Sequence, residues 1–325
     1  DPGTNNGWND PTVVAPVGGN TGTTRGQQRR IAFQAAADIV AARIQSSVNI
    51  EVIATFDNST CTPTSANLGS AGSTIVVRDF TNTPVAGTFY HNALANALAG
   101  SDLHTTSPNF PNGEEITANF NNNIDDNNAC LNGVNWYYGL DNTPPGSDLD
   151  FFNTAAHEIA HGLGFSSFTD PSTGFCAGST GGVGGFPSIY DVFIRDITEN
   201  QTWSQMGCSV AGSAIRAASA ISTGDVVWNG NNANGAITTF GLDAGSVTND
   251  GGTNKIRLYA PNPVEPGSSI SHWDITLNPD ALMEPRANNS SVGDGLGLMT
   301  CQFADVGWVL TGGFSCPDIT TAPDI

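Results

Sequence analysis

Two histidines and one glutamate stand in a short pattern that can bind a metal ion and use it. They are His157, Glu158 and His161, in the segment HEIAHGLGF. On a helix, residues four positions apart lie on one face, so both imidazoles can reach the same ion. Glu158 adjoins a ligand but points elsewhere, where it can reach a water molecule and act as a general base. The pattern therefore predicts a catalytic zinc site.

The surrounding sequence helps to separate this prediction from an ordinary amphipathic helix with surface histidines. Apolar residues recur at spacings of three and four from Leu149 to Leu163, and this stripe faces away from both histidines. We expect the helix to begin near Ser147, with Asp150 completing a capping box. The motif uses two of only five histidines in the chain, which favours the metal site.

A catalytic zinc needs a third protein ligand and keeps its fourth position open. In the extended motif H-E-x-x-H-x-x-G-x-x-H the third histidine would fall at Ser167, whose hydroxyl is a poor zinc ligand. His91 and His104 flank a short predicted helix, and we interpret both as surface or packing residues. The residues alone leave His272, His104 and Asp170 as candidates.

The order of the motifs resembles that of leishmanolysin-like metalloproteases, which belong to the metzincin clan. HEIAHGLGF is followed, after a long insertion, by Ser-His-Trp at 271–273, a Leu-Met-Glu-Pro turn at 282–285 and the segment CQFADVGW. The resemblance covers the strand before the active-site helix, that helix, and residues 270–308. It is specific because three separated elements occur in one order.

This resemblance implies that His157, His161 and His272 bind one catalytic zinc, with Glu158 as the general base. It also implies that Met283 lies beneath the metal. The expected activity is that of a zinc metalloendopeptidase acting on proteins or peptides. No tyrosine follows Met283 in the turn, as in leishmanolysin-like enzymes.

The fold that the resemblance implies is α+β and metzincin-like. We expect an N-terminal mixed sheet with two long helices, an active-site cleft and an irregular C-terminal half. The first subdomain would span residues 1–164 and include the active-site helix. The second, 165–325, would hold an insertion at 166–270, the third zinc ligand and the methionine turn.

Local patterns predict the elements that position the site. A long helix should begin after Thr24, and NALANALAG should form a helix that Gly100 ends. Strands are predicted in NIEVIATF, STIVVRDF, EEITANFN, PSIYDVFIRDI and KIRLYAP. EITANF is either an ordinary central strand or the edge to which an extended substrate adds.

Composition restricts the class of protein. Lys+Arg number 10 against 30 Asp+Glu, for a formal net charge of −20. Nucleic acid and anionic membranes are poor partners for such a surface. No apolar run is long enough to span a membrane. The start, DPGTNNGWND, lacks the regions of a signal peptide, and we interpret the chain as a mature exported form and expect a monomer.

Six cysteines without a C-x-x-C motif favour three disulfides in an extracellular protein. Their order along the chain suggests the pairs Cys61–Cys130, Cys176–Cys208 and Cys301–Cys316. The last pair would fasten the C-terminal tail to the preceding helix.

Acidic residues between 121 and 150 leave two interpretations open. Asp125, Asp126, Asp141 and Asp148 could hold a structural calcium ion, or they could simply keep a loop-rich extracellular protein soluble. Asp148 could also serve the N-terminus of the active-site helix. Three other functions compete with the peptidase: a zinc-binding module without catalysis, a calcium-stabilised adhesion or lectin-like protein, and a zinc hydrolase acting on a non-peptide amide.

Overall fold

The computed structural model describes residues 5–104, 110, 113–126, 129–287, 295–312 and 316. The architecture is mixed α+β with small sheets, as the sequence predicts. The helices are α1 (Arg25–Ala41), α2 (Asn92–Ala99), α3 (Asn123–Asp126), α4 (Phe151–Leu163), α5 (Val210–Ser219), α6 (Asn231–Gly235) and α7 (Gly295–Val306). The strands are β1 (Val52–Asp57), β2 (Gly69–Ser73), β3 (Val76–Val77), β4 (Tyr90–His91), β5 (Ile116–Asn121), β6 (Trp136–Tyr137), β7 (Leu149–Asp150), β8 (Ile194–Asp196), β9 (Gln201–Thr202), β10 (Val226–Trp228), β11 (Val247–Asp250) and β12 (Thr253–Ile256).

The N-terminal sheet is mixed and has three strands in the order β1-β5-β2. β1 pairs with β5 in parallel, with Val52 opposite Ile116, and β2 pairs with β5 antiparallel. The interpretation of EITANF as a substrate-pairing edge is therefore wrong, because both sides of β5 are already paired. The two outer strands of this sheet are β1 and β2.

Helix α1 begins where the sequence predicts. Thr24 is its N-cap and forms a capping box with Gln27, which satisfies backbone donors in the first turn. Its small apolar residues Ala32, Ala36 and Val40 are buried, and the helix packs against α4. Helix α2 ends at Gly100, whose left-handed conformation (φ 67°) permits the exit.

Helix α4 begins later than expected. Asp150 is the N-cap, and its side chain accepts a hydrogen bond from the backbone N–H of Asn153. The capping box from Ser147 is wrong because Leu149 and Asp150 are extended and pair with β6. The first helical residue, Phe151, lies in a buried aromatic cluster with Phe56 and Phe120. This cluster joins the start of α4 to the sheet.

The C-terminal part is built from short elements. The order β10-β8-β9 forms one sheet, and β11 pairs with β12. PSIYDVFIRDI is a strand only over β8, because the chain turns before Ile194. STIVVRDF is a strand only at Ser73, the last residue of β2, and over β3, and KIRLYAP is a strand only at its start. Helix α5, which has 10 residues and Ser209 as its N-cap, was not predicted from the sequence. Its glycine and serine residues weaken the helical periodicity of the apolar positions.

Helix α7 fastens the C-terminal part to the end of α4. The indole of Trp308, just beyond α7, donates to the carbonyl of Leu163 at 2.8 Å. The amide of Gln302 donates to the carbonyl of Gly164 at 3.3 Å. Carbonyls at a helix C-terminus lack partners within the helix. These two bonds supply partners for the carbonyls at the end of α4.

The three predicted disulfides, Cys61–Cys130, Cys176–Cys208 and Cys301–Cys316, are all present. Such bonds form in oxidising compartments, so they are compatible with an extracellular protein. None of the helices in the described residues is long and apolar enough to cross a membrane.

Candidate metal centre

Helix α4 presents two imidazoles on one side and packs its other faces into the core. Buried residues run along it, including Phe152, Ala156 and Ile159. Gly162 faces the buried Ile116 of β5 so closely that a Cβ there would collide with the isoleucine side chain. The absence of a side chain at this position lets the helix lie close against the sheet, which fixes His157 and His161 relative to it.

Three imidazoles from distant parts of the chain meet at one point. The Nε2 atoms of His157, His161 and His272 lie 3.1 Å from one another in all three pairs. Among the described residues, this is the only group of three or more His, Cys, Asp or Glu close enough to share an ion. The structure thus brings together the three residues that the resemblance implied.

Each imidazole is oriented by a backbone carbonyl on its far side. His157 Nδ1 lies 2.6 Å from the oxygen of Leu282, His161 Nδ1 2.7 Å from that of Phe165, and His272 Nδ1 2.8 Å from that of Ser268. A carbonyl oxygen only accepts, so each Nδ1 carries the proton and each Nε2 presents its lone pair to the centre. Metal-bound histidines are oriented by partners of this kind.

Burial keeps these imidazoles neutral. Desolvation lowers the pKa of His157 to about 4 and that of His161 to about 3, and it lowers the pKa of His272 well below its usual value. Neutral imidazole is the form that ligates a metal. His161 and His272 are buried, whereas His157 is partly exposed. Of the three side chains, His157 is therefore the most accessible to solvent.

The spacing and type of the three donor atoms fit a zinc ion. Nitrogens about 2.0–2.1 Å from a tetrahedral zinc lie roughly 3.3 Å apart, close to the 3.1 Å found here. Three lone pairs directed at one point repel each other unless a cation lies between them. No fourth His, Cys, Asp or Glu of the described chain joins the group, so an ion held by these three residues would keep a position for water or substrate, as catalytic zinc does.

Glu158 follows His157 on α4 but does not belong to the group of three histidines. Its side chain is 6% exposed, and its Oε2 is buried without a hydrogen-bond partner among the described residues. Burial raises the pKa of this carboxyl to about 8. The other face of the side chain adjoins Gly69 of β2, where a Cβ would lie 2.9 Å from Oε1. Glycine at this position makes room for Glu158 between α4 and the sheet edge.

The methionine turn lies against the histidines through its backbone. Leu282 supplies the carbonyl that orients His157. The carbonyl of Met283 accepts from the backbone N–H of Trp273, the residue after His272, at 2.9 Å. The Met283 side chain is fully buried. That it lies beneath an ion stays a prediction.

The other candidate ligands lie elsewhere. His91 is fully buried, packs on Phe168 and bonds Ser166, as expected of a packing residue. His104 is also buried and lies outside the group. Asp170 is exposed, and its carboxylate accepts from backbone N–H groups of its own loop. Ser167 donates instead to Asp191.

The four acids proposed for calcium are not gathered in one cluster. Asp125 bonds Arg29 and Tyr138, and Asp126 bonds Arg25. Asp141 accepts from Tyr137, and Asp148 accepts from the backbone N–H of Asn135. The first two carboxylates are thus neutralised by arginines. Calcium binding at these residues stays a prediction.

Sequence reasoning did not find the carbonyls of Leu282, Phe165 and Ser268. Every residue has a backbone carbonyl. Whether a given carbonyl orients a histidine depends on where the backbone runs, and no pattern of side chains in the sequence marks it. Comparisons with family models, curated proteins and solved structures found no match for this chain.

Proposed function

We propose that this chain is a secreted zinc-dependent metalloendopeptidase of the leishmanolysin-like type. The observation that carries the proposal is the convergence of three oriented imidazoles, 3.1 Å apart at Nε2, together with the buried Glu158 that follows His157 on α4. A zinc site that served only structure would have no use for Glu158 at that place. Three disulfides support export.

The histidines and Glu158 would have separate roles in hydrolysis. His157, His161 and His272 would hold the ion, and zinc when bound supplies the Lewis acidity that acidifies water and polarises a carbonyl. The positive charge of a bound zinc ion would favour the ionised form of Glu158 against the effect of burial. The carboxylate then accepts the proton of the attacking water at its unpartnered Oε2 and passes it to the leaving amine. Burial of this carboxyl excludes competing solvent from the proton transfer.

The sheet edge next to Glu158 offers a place for an extended peptide. β2 is an outer strand of the N-terminal sheet, and Gly69 at its start lies next to Glu158. An outer strand has unpaired backbone groups, to which a substrate can add as a further strand. A peptide bound there passes the general base, so we assign the substrate to β2 and not to β5.

The test is metal analysis of the purified chain together with casein cleavage. We expect stoichiometric zinc, cleavage that a chelator abolishes, and recovery when zinc is added back. Cleavage that persists after complete removal of zinc would contradict the proposal. So would stoichiometric zinc in a chain that cleaves no protein or peptide.

A further inference from the structure

Two neighbouring residues of the insertion at 166–270 contact both segments that carry the candidate ligands. Tyr190 is fully buried and Asp191 is 1% exposed. The Tyr190 hydroxyl donates to the carbonyl of Ile270, just before His272, at 3.2 Å. Asp191 accepts from Ser167, in the loop that leaves α4 after His161, at 2.5 Å. The pair thus lies between the helix ligands and the third ligand.

The Asp191 carboxylate holds the loop that leaves α4. Besides Ser167, it accepts from the Thr169 hydroxyl at 3.0 Å and from the backbone N–H of Ser188 at 2.7 Å. The backbone N–H of Ser167 donates onward to the Ser271 hydroxyl at 3.1 Å. A short series of hydrogen bonds therefore runs from Asp191 to the residue adjacent to His272.

The Tyr190 hydroxyl holds a strained residue on the other side. Ile270 is buried and has a positive φ of 72°, which is rare for a β-branched residue. Such a conformation persists only where its surroundings fix it. Its carbonyl is bound by Tyr190, and its N–H donates to the carbonyl of Tyr259 at 2.7 Å. The strained residue sets the direction in which the chain enters His272.

The Tyr190 ring supports the helix side as well. It packs on Phe165, with ring centroids 5.6 Å apart, and on Trp228 at 4.8 Å. The carbonyl of Phe165 is the acceptor that orients His161. One side chain therefore contacts the supports of His161 and of His272.

We propose that Tyr190 and Asp191 are positioning residues that hold His272 at the distance required to share an ion with His157 and His161. They act through Ile270, Ser167 and Ser271, and they touch neither ion nor substrate. The inference rests on the proposed zinc site. It gives the insertion a role in metal binding, because two of its residues set the position of a ligand that follows it.

The test compares Tyr190→Phe, Asp191→Ala and Asp191→Asn in the full chain. Zinc affinity is measured by competition with a chelator, and ligand geometry by the visible absorption of the cobalt-substituted protein. We expect Tyr190→Phe and Asp191→Ala to weaken zinc binding about tenfold or more, the range seen when partners of ligands are removed, and to alter the cobalt spectrum. Asp191→Asn should retain most of the affinity, because an amide can still bond the hydroxyls.

Tyr138→Phe is the matched control. It also removes a buried tyrosine hydroxyl, one that bonds Asp125 and Arg29 in the N-terminal part. We expect it to lower the melting temperature while leaving zinc affinity and the cobalt spectrum unchanged. Tyr190→Phe keeps the packing of its ring, so its zinc affinity and cobalt spectrum test the inference even if Asp191→Ala fails to fold.

Wild-type affinity and spectrum in Tyr190→Phe would overturn the inference and leave the peptidase proposal intact. The opposite result is equally distinct. If wild-type protein binds zinc but cleaves nothing, while Tyr190→Phe still weakens that binding, the peptidase proposal fails and the positioning role holds. Absence of zinc binding by wild-type protein overturns both.

Discussion

The Nδ1 atom of His157 donates a hydrogen bond to the carbonyl oxygen of Leu282, 2.6 Å away and 125 positions later in the chain. This bond joins the middle of α4 to the turn that contains Met283. It fixes the ring so that Nε2 faces His161 and His272. The site therefore depends on contacts between the two parts of the chain.

His272→Ala should lose zinc and peptidase activity. Two imidazoles leave an incomplete donor set, so we expect zinc affinity to fall by more than about 100-fold, beyond the loss caused by removing a ligand's partner. Metal analysis after dialysis measures this. His91→Ala and His104→Ala are the controls and should keep stoichiometric zinc. If His272→Ala binds zinc with unchanged affinity, the ligand is another residue, with Asp170 or His104 next in line.

Glu158→Gln should keep zinc and lose activity. The amide preserves the shape of the side chain but cannot take a proton, and general-base catalysis contributes about 10²–10⁴-fold. The measurement is kcat/KM on a casein-derived peptide, together with zinc content. Glu115→Gln is a matched control, because Glu115 is also buried but accepts a hydrogen bond from Asn96 of α2, away from the histidine group. Near-wild-type turnover by Glu158→Gln would refute the assigned mechanism.

Asp150→Asn should make the stability less dependent on pH. Burial raises the pKa of Asp150 from 3.8 to about 6. The folded state then binds this proton more tightly than the unfolded state, so stability falls as pH rises from about 4 to 6 and is level above that. This shift of the pKa changes the free energy of unfolding by about 3 kcal/mol at most between low and neutral pH.

Denaturant unfolding at pH 4 and pH 7.5 measures this effect. The free energy of unfolding of Asp150→Asn should be closer to that of wild type at pH 4 and should exceed it at pH 7.5. Asn is also a good N-cap, so Asp150→Ala should be less stable than Asp150→Asn by about 1 kcal/mol. An equal difference between wild type and Asp150→Asn at both pH values would contradict the role of burial.

Gly162→Ala should destabilise the fold although alanine favours helix. The propensity gain is about 1 kcal/mol, but the added methyl collides with Ile116, and such overpacking costs about 1–3 kcal/mol. A double-mutant cycle with Ile116→Ala tests the collision. We expect a coupling energy of about 1 kcal/mol or more, because the two residues are in contact. Additive effects would show that the helix moves away from β5 instead.

Much of the local structure follows from sequence, because it depends on neighbouring residues. Thr24 and Gln27 cap α1 through groups three positions apart, and Gly100 ends α2 because glycine adopts positive φ readily. The spacing of His157 and His161 puts both on one face of a helix. Where two local signals competed, the prediction was wrong: Leu149 and Asp150 were assigned to α4 by spacing, yet they pair with β6.

Only the tertiary structure decided which residues meet. Sequence alone left His272 among other candidates, and the fold places its Nε2 3.1 Å from both helix ligands. The position of β5 between two strands, the carbonyl of Leu282 behind His157, and the contacts of Tyr190 and Asp191 have no local signal. They arise from long-range packing and backbone hydrogen bonds, in which any residue can take part and where only the path of the chain selects the partner.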